Sequence, residues 1–281
     1  MSSLYRGRLA PSPTGLLHLG HARTFWTAYQ RATQANGVLV MRNEDLDPQR
    51  SKPEFTTAML EDLRWLGIWW QEGPDVGGPY APYVQSRRRK FCLEAWRKLV
   101  QAGFVYPCRC SRKDLARSAQ APHDEDDEPL YPGTCRPHDS SKQIQPPESP
   151  VGVNWRFRVP DGEVIAFEDG NFGAQSYVVG HDFGDFLVWR RDDVPAYQLA
   201  VVVDDAAMRI TEVVRGADLL RSTARQILIY RSLRLTPPSW YHSPVMHDER
   251  GQRLAKRHDA LSLRALREQG KTPDEVIAMF G

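Results

Sequence analysis

The first forty residues alternate between strand and helix patterns in an order that few folds accommodate. Residues 5–10 have the pattern of a short strand, a Pro/Gly loop covers 11–17, and 18–33 carries apolar side chains at helical spacing. A second apolar strand follows at once, at 38–42. A strand, a helix and an adjacent strand form a βαβ unit, in which the two strands run parallel. The sequence therefore predicts an α/β domain with a parallel sheet that binds a nucleotide at the carboxyl ends of its strands.

The middle of the chain interrupts this pattern. After helical patterns at 53–66 and 86–102, residues 118–150 become rich in Pro, Ser and acidic side chains and lose apolar periodicity, which is typical of an insertion. Short alternating runs between 154 and 189, separated by Asp-Gly turns, predict antiparallel strands. We therefore expect a β-rich insertion within the α/β domain.

The α/β pattern resumes after the insertion. The apolar run 199–203, ended by Asp204 and Asp205, predicts a buried parallel strand, and a helical pattern follows at 217–232. These elements predict a doubly wound parallel sheet of Rossmann type. The chain accordingly divides into a first half of this Rossmann-type domain at 1–105, an insertion at 106–190 and a second half at 191–281.

Charge and hydropathy narrow the class of protein. The 37 basic and 35 acidic side chains nearly cancel, so net charge does not indicate a nucleic-acid partner, and RNA contacts would have to come from local patches. No apolar run approaches the roughly 20 residues that a membrane-spanning helix needs, and the N-terminus has no secretory apolar region. We expect a cytoplasmic monomer with no membrane partner.

The tetrapeptide His18-Leu19-Gly20-His21 lies where the first loop becomes the first helix. Two imidazoles beside the free amides of a helix N-terminus form an anion site. Gly20 would let a purine or a phosphate approach the backbone without a Cβ atom in the way. The alternative interpretation is a pair of surface histidines at the start of a helix.

Residues 7–15 read GRLAPSPTG, and with the tetrapeptide at 18–21 they resemble the opening of the glutamyl-tRNA synthetases, which are class I aminoacyl-tRNA synthetases. Within that family the chain is similar to the short glutamyl-queuosine tRNA(Asp) synthetases. The family's Lys-Met-Ser-Lys-Ser loop has an imperfect counterpart in RLAKR at 253–257, whose alternative interpretation is a solvated basic turn. The resemblance implies that His18, His21 and Lys256 are catalytic and, with Gly20, bind ATP, which enters with Mg²⁺ as a substrate.

An acidic amino acid needs cations for its carboxylates and an anion for its ammonium group. The resemblance implies a glutamate pocket in which Glu44, at the end of the second strand, meets the amino group. Arg215 would determine specificity, because a guanidinium clamps a carboxylate through two hydrogen bonds but cannot pair equally with an amide. For any one of these residues alone, a surface ion pair or a core tyrosine is the alternative. The full predicted set is Arg8, Leu9, Ala10, Pro11, Ser12, Glu44, Tyr197 and Arg215.

Three of the four cysteines fall in one segment: Cys108, Cys110 and Cys135. Three thiolates imply one structural zinc ion per chain, completed by a fourth ligand. Chemistry alone favours His138 or His123 as that ligand, whereas the resemblance implies Tyr131. Buried thiols without a metal are the alternative.

The resemblance also implies the reaction. It is the tRNA-independent activation of L-glutamate by ATP to glutamyl-adenylate, followed by transfer of glutamate to queuosine in the anticodon of tRNA(Asp). The sequence ends at Gly281, before an anticodon-binding domain of about 100–200 residues, which agrees with this acceptor. A minimal synthetase that charges tRNA(Glu), a catalytically silent RNA-binding paralogue and a small-molecule nucleotidyltransferase are the alternatives.

Overall fold

The computed structural model describes residues 4–111, 130–138, 146–246 and 261–280. Its helices are α1 (Leu19–Gln34), α2 (Pro53–Trp65), α3 (Arg89–Gln101), α4 (Tyr197–Ala207), α5 (Leu220–Ser232), α6 (Leu263–Glu268) and α7 (Pro273–Ala278). Its strands are β1 (Arg6–Leu9), β2 (Val38–Met41), β3 (Val105–Cys108), β4 (Asn154–Phe157), β5 (Val164–Asp169), β6 (Gly173–Val178), β7 (Phe186–Trp189), β8 (Glu212–Gly216) and β9 (Ser239–Ser243). In these ranges, no helix is long and apolar enough to cross a membrane.

The predicted βαβ unit at the N-terminus is confirmed. Strands β1 and β2 pair in parallel, with Arg8 opposite Val40, and α1 connects them. One side of α1 is buried because its apolar residues recur every three or four positions. These buried residues are Leu19, Ala22, Phe25, Ala28 and Ala32.

The second half of the chain forms a mixed sheet with the strand order β6-β5-β9-β8. Strands β8 and β9 are parallel, with Arg215 opposite His242, and β5 joins β9 in parallel where Asp169 lies opposite Trp240. Strand β6 runs antiparallel to β5. The predicted parallel sheet is therefore corrected to a mixed sheet, because β5 and β6 of the predicted insertion join it and a connection as short as theirs can only reverse the chain. The predicted antiparallel strands are confirmed in β5-β6 and in the separate sheet β3-β4-β7.

The run 199–203, predicted as a strand, lies instead in helix α4. All five of its residues are buried, so neither face of the helix is polar and the sequence carries no helical period. A short apolar run of this kind cannot be assigned to a strand or a helix by periodicity alone. Asp204 and Asp205 consequently lie on the last turns of a helix, fully buried, and not at the end of a strand.

The last described segment returns to the start of helix α1. The backbone of Ser262 bridges that of His18, and the Leu263 amide donates to the Leu17 carbonyl at 2.7 Å. Leu263 and Leu266 of α6 belong to the same apolar cluster as the buried face of α1. The chain on the C-terminal side of residue 260 is thereby fixed beside the histidine pair.

Candidate active site

The histidine pair at the start of α1 has a defined geometry. The two rings stack with centroids 3.8 Å apart, and the His18 Nδ1 atom accepts a hydrogen bond from the Gly20 amide at 3.1 Å. Since Nδ1 acts as an acceptor, a neutral His18 carries its proton on Nε2. A Cβ atom on Gly20 would come within 3.1 Å of the His18 ring, so a larger residue there would press against the imidazole and shift it. The arrangement offers N–H donors at a helix N-terminus, as an anion site needs.

Lys256 lies outside the described residues. The nearest described residue on its C-terminal side is Leu261, which precedes the Ser262–His18 bridge. The role implied for Lys256 by the resemblance therefore stays a prediction.

Buried charges lie at the carboxyl ends of β1 and β2. Arg42 donates to Glu44 at 2.8 Å and to Asp205 at 2.7 Å, and the Arg8 Nε atom is 3.7 Å from the same Asp205 carboxylate. Arg8 also donates to the Val214 carbonyl at 2.6 Å. Burial raises the pKa of Glu44, an effect that Arg42 offsets only in part. The structure thus brings Arg8 and Glu44, both predicted site residues, into one buried network.

The loop after β1 contributes mainly backbone. The Pro11 carbonyl accepts from the Glu44 amide at 3.0 Å, which holds the carboxylate residue beside the loop. The Leu9 side chain is fully buried in the core, so only its backbone could meet a ligand. Ala10 is half-buried and Ser12 is exposed. Of the five residues predicted in this segment, Arg8 alone directs a charged side chain into the network.

Arg215 is a buried cation, and in the part of the chain that the structure describes its side chain contacts only neutral acceptors. It is 5% exposed, and each of its five N–H groups has a partner. The acceptors are His242 Nε2 at 3.1 Å, Gln226 Oε1 at 2.8 Å, Tyr197 Oη at 3.5 Å, Thr223 Oγ1 at 2.8 Å and the Leu219 carbonyl at 3.3 Å. Among the described residues, no carboxylate lies within ion-pairing distance of it. The structure also brings the predicted residue Tyr197 to this cation.

Several residues of this network were missed by sequence reasoning. His242 Nδ1 lies 2.6 Å from Asp169 Oδ2, and both side chains are fully buried. On the other side, Gln226 Nε2 donates to Gln198 at 3.0 Å. Only the parallel pairing of β8 with β9 and of β9 with β5 brings these residues together, and the one sequence signal was a lone histidine in a strand pattern.

The formal charges of the site balance. Arg8, Arg42 and Arg215 contribute three positive charges, and Glu44, Asp205 and Asp169 contribute three negative charges when ionised. The neighbouring Asp204 is paired separately with a further arginine at 2.6 Å. The His242 ring lies between Arg215 and Asp169, so the guanidinium and that carboxylate are not in direct contact.

The three predicted cysteines form a cluster with Tyr131. Their Sγ atoms lie within 4.8 Å of one another, and Cys110 Sγ is 3.6 Å from Cys135 Sγ. A tetrahedral zinc ion with Zn–S bonds of about 2.3 Å separates its sulfur ligands by about 3.8 Å, so the spacing fits. The Tyr131 hydroxyl lies 3.4 Å from Cys108 Sγ and 3.7 Å from Cys110 Sγ.

The surroundings of the cluster distinguish between the candidates for its fourth ligand. Burial raises the pKa of Cys135, but hydrogen bonds from Tyr131 and from the Arg109 backbone outweigh it and lower that pKa to about 7, so the thiolate that a metal ion would need forms near neutrality. His138 is exposed and does not belong to the group of candidate ligands in the described residues. His123 lies outside them. The geometry therefore favours Tyr131 beside the three sulfurs.

Comparisons with known proteins show the family to which the chain belongs. The model of the family "tRNA synthetases class I (E and Q), catalytic domain" matches residues 5–281. A glutamyl-Q tRNA(Asp) synthetase from Nitratidesulfovibrio vulgaris is 50% identical over 270 residues, which cover 95% of this chain and 82% of the relative. One from Symbiobacterium thermophilum is 47% identical, covering 96% of this chain and 84% of the relative.

Longer proteins match as well. A glutamate–tRNA ligase from a Sulfurihydrogenibium species is 40% identical, covering 97% of this chain and 56% of the relative. The crystal structure of a glutamate–tRNA synthetase from Elizabethkingia anophelis matches with a TM-score of 0.78 and 30% identity, covering 91% of this chain. The chain spans 53% of that structure. On the family match and the relatives of 50% and 47% identity, the chain belongs to the class I aminoacyl-tRNA synthetases of the glutamate and glutamine group, which are ligases.

Proposed function

We propose that this protein activates L-glutamate with ATP, without requiring tRNA, and transfers it to queuosine in the anticodon of tRNA(Asp). The observation that carries the choice of amino acid is Arg215, a buried cation held by neutral acceptors. The names of the two relatives at 50% and 47% identity support the acceptor.

Arg215 is built to receive a carboxylate. Its two longest contacts, to Tyr197 Oη at 3.5 Å and to the Leu219 carbonyl at 3.3 Å, involve the terminal nitrogens Nη1 and Nη2. A substrate carboxylate can take these two N–H groups as a bidentate acceptor while the shorter contacts stay in place. The amide of glutamine would turn an N–H₂ donor toward one of them, which leaves a buried donor unsatisfied at a cost of about 1–3 kcal/mol.

The remaining charges suit the backbone of an amino acid. The Glu44 carboxylate would take the ammonium group, and Arg8, with one hydrogen bond to the Val214 carbonyl, would take the α-carboxylate. We propose that these pairings fix the orientation of the substrate.

The histidine pair suits the triphosphate. The His18 Nε2–H group and the free amides at the start of α1 would bind phosphate oxygens, and Lys256 would neutralise charge as pyrophosphate leaves. An α-carboxylate oxygen of glutamate attacks the α-phosphorus of ATP, and the bond from that phosphorus to the bridging oxygen of pyrophosphate breaks. A queuosine hydroxyl then attacks the activated carbonyl carbon, AMP leaves and the hydroxyl loses its proton. Mg²⁺ would accompany ATP, held largely by phosphate oxygens and water.

We also propose that the cluster of Cys108, Cys110, Tyr131 and Cys135 holds a structural zinc ion. Support comes from the sulfur spacing and from the Tyr131 hydroxyl, which completes four ligands. The Arg156 guanidinium lies over the Tyr131 ring, 4.0 Å from its centroid. A bound zinc ion would favour the phenolate form of Tyr131, and this neighbouring cation would stabilise that form.

The acceptor is tested by labelled glutamate and matched tRNAs. Transfer is expected to tRNA(Asp) that carries queuosine, including a form lacking its 3′-terminal adenosine, and not to queuosine-free tRNA(Asp). The second candidate function is charging of tRNA(Glu), which the 40% identical glutamate–tRNA ligase favours. Charging of queuosine-free tRNA(Glu) at its 3′ end would overturn the proposed acceptor and leave glutamate activation intact.

A further inference from the structure

The Nε–H group of Arg215 is bound by a side chain that is itself held in one protonation form. Arg215 Nε donates to His242 Nε2 at 3.1 Å, and His242 Nδ1 lies 2.6 Å from Asp169 Oδ2. The carboxylate accepts the Nδ1 proton, so Nε2 keeps the lone pair that Arg215 needs. Burial, and then the charge of Arg215, lower the pKa of His242 to about 4, which keeps the imidazole neutral near pH 7.

Asp169 is fixed by backbone amides through its other oxygen. Its Oδ1 atom accepts from the backbone amides of Asn171 at 3.1 Å, Phe172 at 2.9 Å and His242 at 3.3 Å. These bonds leave Oδ2 as the atom that faces His242. Asp169, His242 and Arg215 lie on the neighbouring strands β5, β9 and β8, so a strand of the insertion reaches the proposed amino-acid pocket.

The other edge of the guanidinium is fixed by amides. Gln226 accepts from Arg215 through Oε1 at 2.8 Å, because its Nε2 atom donates to Gln198. Gln198 in turn donates to Ser222 at 3.0 Å. Arg215 is therefore held at Nε by one chain of hydrogen bonds and at Nη1 by another, which sets the plane of the guanidinium.

We propose that Asp169 and His242 are positioning residues: Asp169 selects the Nδ1–H tautomer of His242, and this tautomer aims Arg215 at the side-chain carboxylate of the substrate. The inference rests on the proposed function for its substrate. Strand β5 would then contribute to amino-acid specificity, because its residue Asp169 orients His242 and His242 orients Arg215.

Asp169→Asn tests the proposal, because asparagine has nearly the same shape as aspartate. The backbone amides of Asn171 and Phe172 would hold the asparagine Oδ1, which turns its N–H₂ donor toward His242 Nδ1. The histidine would then carry its proton on Nε2, and two donors would face each other between His242 and Arg215. We expect the KM for glutamate to rise by about tenfold or more, with kcat changed by less than about threefold and the KM for ATP unchanged.

Asp185→Asn is the matched control. Asp185 is another buried carboxylate: it accepts from the Tyr106 hydroxyl at 2.5 Å and from the Val159 amide at 2.8 Å, and Arg136 Nε lies 3.5 Å from it. Both variants remove a buried charge, but Asp185 contacts neither His242 nor Arg215. We expect Asp185→Asn to leave the KM for glutamate unchanged. Equal KM values in wild type and Asp169→Asn, or equal rises in both variants, would overturn the proposal.

A second measurement does not depend on the substrate. Imidazole ¹⁵N shifts of the wild type, assigned to His242 with His242→Gln, are expected to show the Nδ1–H tautomer, and those of Asp169→Asn the Nε2–H tautomer. An Nε2–H tautomer in the wild type would overturn the proposal even if Asp169→Asn did not fold. Absence of glutamate-dependent activity in the wild type would instead refute the proposed function, and the ¹⁵N result would still decide the tautomer.

Discussion

Replacement of Arg215 separates the contribution of charge from that of geometry. Arg215→Gln removes the buried cation, and the substrate carboxylate would then enter a buried site with no counter-charge. Breaking a buried, hydrogen-bonded ion pair costs about 3–5 kcal/mol, so kcat/KM for glutamate should fall by roughly 10²- to 10³-fold or more. Arg215→Lys keeps the charge but loses the pair of N–H groups that binds a carboxylate bidentately. We expect kcat/KM for glutamate to fall by a smaller factor, about 10- to 100-fold.

The same variants should reduce discrimination between glutamate and glutamine. Neutral glutamine gains nothing from the cation, so its kcat/KM should change by less than about threefold in Arg215→Gln. The assay is ATP–pyrophosphate exchange with each amino acid over a range of concentrations, with the unfolding temperature measured alongside.

The control for Arg215 is an arginine of helix α5 that lies on the surface. Arg231 pairs with Glu163 at 2.8 Å, and its side chain is 52% exposed. Such pairs contribute little to stability, so Arg231→Gln should behave as wild type. If Arg215→Gln kept wild-type kcat/KM for glutamate while remaining folded, the reasoning about the buried cation would be refuted.

The remaining predictions concern the metal, the histidines and pH. Purified under reducing, chelator-free conditions, the protein should contain about one zinc ion per chain. The Tyr131→Phe variant should lose much of this zinc, and the His138→Ala variant should keep it. A wild-type protein without zinc would contradict the proposed site. Gly20→Ala should slow exchange and raise the KM for ATP, because the new Cβ atom lies 3.1 Å from the His18 ring; wild-type kinetics would argue against an ordered imidazole. The pKa of His242 falls from 6.5 to about 4 on folding. Between these two pH values the unfolded chain binds a proton at this histidine and the folded chain does not, so the free energy of unfolding decreases as the pH falls from 6.5 to 4. Denaturant titrations should show a loss of about 3 kcal/mol that is absent in His242→Gln, and an equal loss in that variant would contradict the assignment.

The N-terminal unit could be predicted from the sequence because its signals are local. The period of α1, the Pro/Gly loop and the adjacent strand each lie within a few residues, and β1, α1 and β2 form as the pattern indicates. The predicted residues Arg8 and Glu44 follow from this unit, since parallel strands bring their carboxyl ends to one edge.

The rest depends on contacts between distant segments. Helix α4 was mistaken for a strand because it is buried on all sides, and burial is decided by the fold and not by the run itself. Asp169 and His242 are 73 positions apart and meet only through the β5-β9 pairing. No spacing rule connects such residues, so the environment of Arg215 became visible only in three dimensions.

The central claim is that the chain activates glutamate through its own pocket. ATP–pyrophosphate exchange by the purified protein, with no tRNA present, tests this most directly. We expect exchange that depends on L-glutamate, with glutamine and aspartate at least about tenfold less effective. No exchange with glutamate, whether tRNA is absent or present, would contradict it.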